Sequence, residues 1–102
     1  MPIKIFKEID RNLEVAWLCD DDWELPRQIG FLSEWLRANN AALTDGPYTA
    51  DVGFSIRPEA FGGGAVLDPD FLGLMSHVRM SLFLSEYPND WNEWMARPRD
   101  PK

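Results

Sequence analysis

The chain has one cysteine, one histidine and no long apolar run, and each shortage removes a class of function. Cys19 alone can form neither an intrachain disulfide nor a thiolate metal cage. His77 alone, at the expected end of a helix, has no nucleophile or orienting acid near it in sequence, so a histidine-based catalytic relay is not expected. No stretch approaches the roughly 20 apolar residues of a membrane span. The opening Met-Pro-Ile-Lys-Ile-Phe-Lys-Glu lacks the apolar core of a signal peptide, which makes the cytoplasm the expected compartment. Bases are scarce as well: ten Lys and Arg stand against 17 Asp and Glu, for a net charge of −7. Only the tail is net positive, and without Arg97, Arg99, Asp100 and Lys102 the balance is 16 acids to seven bases. Such a body repels nucleic acid and anionic lipid and attracts a basic protein.

What is present is tryptophan set among acids and amides. Asp20-Asp21-Asp22-Trp23-Glu24 and Asn89-Asp90-Trp91-Asn92-Glu93-Trp94 are both poor as core and good as contact surface. Indole supplies a large apolar area with a polar handle, and the carboxylates keep it soluble.

One hundred and two residues, 45% hydrophobic and 26% charged, make one folded domain, expected over 1–96 with a disordered tail at 97–102. Residues 3–9 and 13–19 read as an opening hairpin across a turn at Asp10-Arg11-Asn12, with Leu13, Val15, Trp17 and Cys19 on the inward side. Pro26 suits the first turn of a helix whose stripe is Leu25, Ile29, Leu32 and Leu36, with Phe31 and Trp35 on an adjoining flank. Asp45-Gly46-Pro47 marks a turn, and Ala50, Val52, Phe54 and Ile56 alternate as a half-buried strand. Gly62-Gly63-Gly64 is a loop. Asp68-Pro69-Asp70 starts a second helix through Phe71, Leu74, Met75 and Val78, and residues 79–87 form a last strand. A short helix over 89–96 closes the domain. The expected fold is an α+β two-layer sandwich: about four mainly antiparallel strands, two main helices on one face and a short C-terminal helix. The helical link places the last two strands parallel if they share a sheet. This pattern carries no function by itself.

Other candidate sites have plainer explanations. Cys19 lies among carboxylates that hold a thiol protonated, which marks it as structural. Contiguous Asp20, Asp21 and Asp22 lack the spacing and turn glycine of a calcium loop, so no metal is expected. The glycine run has no following Lys or Ser/Thr and leads into acids, which excludes a phosphate cradle. No cofactor and no catalytic residue is expected.

The expected function is a small acidic inhibitor or antidote: a toxin-immunity protein, or a phage-encoded inhibitor of a nucleic-acid-handling host enzyme. Asp20, Asp21, Asp22, Trp23, Glu24, Phe31 and Trp35 form the primary partner surface, and Asp90, Trp91, Glu93 and Trp94 a secondary one. The partner is a basic protein, and neither nucleic acid nor membrane is bound directly. Two other readings compete: a glycan or small-molecule module built on exposed tryptophan, and a homo-oligomeric structural subunit.

Overall fold

The computed structural model describes residues 2–8, 10–19, 21–43, 46–57 and 59–88, and of residues 10–12 the backbone alone. The main elements follow in the order β1 (Ile3–Lys7), β2 (Asp10–Leu18), α1 (Leu25–Asn39), β3 (Tyr48–Ser55), α2 (Pro69–His77) and β4 (Met80–Tyr87). A 3-10 turn, Asn40–Ala42, closes α1. The sheet runs β2-β1-β3-β4. β1 is antiparallel to both of its neighbours, and β4 lies parallel to β3, as the helical link between them implies. The fold is thus an α+β domain with a mixed four-stranded sheet. The helix expected over 89–96 and the tail at 97–102 lie outside the described residues.

One face of the sheet is roofed. Ile3 and Ile5 of β1, Tyr48, Ala50 and Val52 of β3 and Met80 of β4 are buried against Ile29, Leu32 and Leu36 of α1 and Phe71 and Met75 of α2. Each large apolar side chain buried there contributes about 1.5–3 kcal/mol. The helical stripe and the strand alternation read from the sequence meet in this cluster.

The other face is unroofed among the described residues, and it corrects the reading of β2. Ala16 pairs with Ile5 and Leu18 with Ile3, so Ala16 and Leu18 are the residues of β2 that join the core. Trp17 lies opposite Lys4 on the unroofed face and is 46% exposed. Leu13 and Val15 are exposed too. Alternation sorts a strand into two faces without saying which one is covered, and a shift of one residue exchanges them. Phe6 alternates onto the unroofed side and is nonetheless buried, with the Lys4 ammonium 5.7 Å from its ring centre and the same distance from that of Trp17. The β1–β2 ladder is irregular on both sides of Phe6. Lys7 already pairs with Asp10, so the chain reverses ahead of the Asp10-Arg11-Asn12 turn expected from sequence.

The helix starts follow local chemistry. Asp68 caps α2 by accepting the Phe71 amide at 2.8 Å, with Pro69 in the first turn and Asp70 at the positive helix end. α1 also has proline in its first turn, but its capping residue, Glu24, makes no side-chain cap bond. Gly62, Gly63 and Gly64 all take positive φ, a backbone conformation that glycine reaches without steric penalty.

Candidate functional site

In the acidic segment between β2 and α1, Asp22 and Glu24 have internal partners. Cys19 adopts φ 56°, and its carbonyl accepts the Asp22 amide at 3.1 Å. Oδ1 of Asp22 accepts the Glu24 amide at 3.1 Å, and Oδ2 accepts from Nε of Arg27 at 2.9 Å. Arg27 also stands 3.7 Å from Glu24. Arg27 is largely exposed, so each of these ion pairs contributes no more than about 1 kcal/mol. Asp21 is exposed, and Asp20 lies outside the described residues.

Behind this turn stands a buried polar post. Gln28 is fully buried on α1, and its Nε2 donates to the carbonyls of Asp22 at 2.6 Å and Gly53 at 2.7 Å. The acidic turn is thereby tied to the middle of the sheet. Trp23 is held on the same structure: its carbonyl accepts the Ser55 amide at 2.8 Å, and its half-buried ring meets Tyr87 edge-on, with centroids 5.5 Å apart and planes at 84°. Gly53 makes the room, since a Cβ there stands 2.8 Å from the Tyr87 ring and 3.5 Å from that of Trp23.

Two hollows adjoin at Glu24. A shallow one is bordered by Asp21, Asp22, Trp23, Glu24, Arg27 and Phe31, with Cys19 at its edge. The second is an open cleft of about 1050 Å³ whose walls include Glu24, Phe54, Ile56, Arg57, Glu59 and Glu86. Nη2 of Arg57 donates to the Gly62 carbonyl at 3.0 Å, which fixes the glycine loop beside this cleft.

The structure therefore brings Asp21, Asp22, Trp23, Glu24 and Phe31 around one depression. Phe31 is 44% exposed there. Trp35, one turn further along α1, is partly buried, packs against the core and does not border the depression. Asp90, Trp91, Glu93 and Trp94 lie outside the described residues. Sequence reasoning missed the cleft half of the site. Its one local signal was that Phe54 and Ile56 continue the β3 alternation toward the strand end, where Ile56 becomes exposed. Nothing local joins Glu59 and Glu86 to Glu24.

His77 is exposed at the end of α2, and Cys19 is partly buried. Among the described residues no group of three or more His, Cys, Asp and Glu side chains is placed to hold a metal ion, and no helix is long and apolar enough to cross a membrane. No protein-family description, curated protein or solved structure matches this chain.

Proposed function

We propose that this protein is a cytoplasmic protein-binding domain that acts as an inhibitor or antidote, either a toxin-immunity protein or a phage-encoded inhibitor of a nucleic-acid-handling host enzyme. The observation that carries this reading is the pair of hollows that meet at Glu24: five carboxylates (Asp21, Asp22, Glu24, Glu59 and Glu86) against two guanidiniums (Arg27 and Arg57), with Trp23 and Phe31 lining the shallower hollow. Enzymes that grip nucleic acid present Lys and Arg where phosphates bind, and a compact acidic surface competes for those groups. The aromatic rings supply the apolar contact that converts a steered encounter into a complex. In this reading the partner's basic side chains enter the hollows, no cofactor or metal takes part, and the domain carries out no chemistry of its own.

The test is kinetic. The partner is captured from native lysate, identified and purified, and the pair is reconstituted from pure components. The association rate is expected to fall at least ~10-fold between about 0.05 and 0.5 M salt. Asp21→Asn combined with Glu24→Gln is expected to slow association at low salt and leave the dissociation rate nearly unchanged. An association rate indifferent to both salt and these substitutions rejects the proposal.

A further inference from the structure

The two edges of the sheet differ in how they meet solvent. β2, at one edge, carries charges and pairs with β1 through an irregular ladder. Irregularity and charge both discourage a second chain from adding to an edge strand. β4, at the other edge, is regular and carries one charge, Glu86, near its end. Its ladder with β3 runs through eight consecutive pairs without a register shift, and Met80-Ser81-Leu82-Phe83-Leu84-Ser85 contains no charge and no proline. Phe83 is 51% exposed on the unroofed face and Leu84 42% exposed on the other. Among the described residues no strand covers this edge.

The backbone phase of β4 follows from its bonds to β3. The Tyr48 amide donates to the Arg79 carbonyl at 2.9 Å, and the Ile56 amide to the Tyr87 carbonyl at 3.0 Å. Odd-numbered residues of β4 thus turn their peptide groups toward β3. The even-numbered Met80, Leu82, Leu84 and Glu86 turn theirs to the open edge.

We infer that a second copy of this chain adds to β4, antiparallel, about a two-fold axis at Phe83, so that two four-stranded sheets become one. This register pairs Leu82 with Leu84 of the partner subunit, and Met80 with Glu86 of the partner subunit. All four are outward-facing residues, so these pairs exchange about eight backbone hydrogen bonds across the interface. Phe83 meets its own counterpart in a non-hydrogen-bonded pair, where Cβ atoms come within about 4.5–5.5 Å and aromatic rings pack best. Ser81 meets Ser85 of the partner subunit. Charge favours the same arrangement. The body of the chain is acidic and repels its copies, whereas residues 80–85 are neutral. Antiparallel addition also sets the Arg79 end of one strand beside the Glu86 end of the other, while parallel addition sets Glu86 against Glu86. A basic peptide finds nothing in residues 80–85 to favour it over a second copy. This inference does not rest on the partner-binding proposal, and of the residues that carry that proposal it involves only Glu86.

The test is the mass of the full chain by sedimentation equilibrium over a concentration series. The expected result is a rise from the 11.7 kDa monomer toward twice that mass. Phe83→Lys, which sets two ammonium groups face to face across the axis, is expected to return the mass to monomer with an unchanged circular dichroism spectrum. A second variant checks the register. In a Cys19→Ser background, Phe83→Cys is expected to form a covalent dimer on mild oxidation. Ser81→Cys and Ser85→Cys are expected to cross-link to each other when mixed and not to themselves. A chain that stays monomeric up to about 0.5 mM, a dimer that Phe83→Lys leaves intact, or Phe83→Cys that fails to cross-link overturns the inference.

Discussion

Gln28 shows how one polar side chain holds the acidic turn in place. Its Nε2 serves two carbonyls, those of Asp22 and Gly53, so the amide orientation is fixed: the reverse sets oxygen against oxygen. Gln28→Leu is expected to lower stability by about 2–3 kcal/mol in urea denaturation, because two carbonyls lose their donor in a buried site. Gln28→Glu is the sharper test. A buried carboxylate facing two carbonyls is disfavoured, so the proton is held more tightly in the folded state than in the unfolded one. The contribution of that carboxyl to stability is therefore greatest at acidic pH and falls as pH rises, so the variant's deficit against the parent is larger at neutral pH than in acid. Glu14 has the opposite sign. The Trp17 indole N–H donates to its carboxylate and Lys4 lies 3.4 Å away, and the two together hold its pKa below the ordinary glutamate value, the indole contributing most. A carboxyl lowered in this way stabilises the fold above its unfolded pKa and loses that contribution as pH falls through the folded one. Trp17→Phe is expected to move the Glu14 titration, followed by NMR, back toward the ordinary value.

At the scale of elements, the two helix starts are expected to separate stability from the proposed binding. Asp68→Ala removes the only carboxylate bond to the Phe71 amide and is expected to cost about 1 kcal/mol of stability. Glu24→Ala removes no side-chain cap and is expected to change stability by under about 0.5 kcal/mol, while slowing association with the basic partner. The same contrast explains what the chain reveals in one dimension. The α2 start is legible because Asp68-Pro69-Asp70 places cap, proline and first-turn acid within three residues. The buried stripe of α1 is legible from the spacing of Ile29, Leu32 and Leu36. The facing of Trp17 is not, because its neighbours Ala16 and Leu18 are apolar as well, and only the position of the helices decides which side is covered. Burial of Gln28 is equally silent: its partners are backbone carbonyls, one of them 25 residues away. The depression at Asp21, Asp22 and Trp23 is contiguous in sequence and could be anticipated. The cleft beyond it is assembled from the end of β3, the glycine loop and the end of β4, and no local pattern links them.

For the molecule as a whole, charge and edge divide the surface into two kinds of contact. The hollows around Glu24 are acidic and suited to fast, salt-sensitive encounter, whereas the β4 edge is neutral and suited to slower pairing that salt leaves nearly unaffected. Raising ionic strength is therefore expected to weaken partner binding while leaving self-association intact or strengthened, since the acidic bodies then repel each other less. Sedimentation and stopped-flow measurements on the same salt series check this divergence.

The strand order has a consequence for how the chain is made. β1 emerges first yet ends between β2 and β3, so one of its sides is satisfied within a few residues and the other waits for a segment more than forty positions downstream. During synthesis the opening hairpin must persist without its third strand, and β4, which seals Tyr48, Ala50 and Val52, arrives later still. Nascent chains truncated before β3 are expected to be protease-sensitive. Only those long enough to release β4 reach the resistant state, so completion of this fold waits for its last strand.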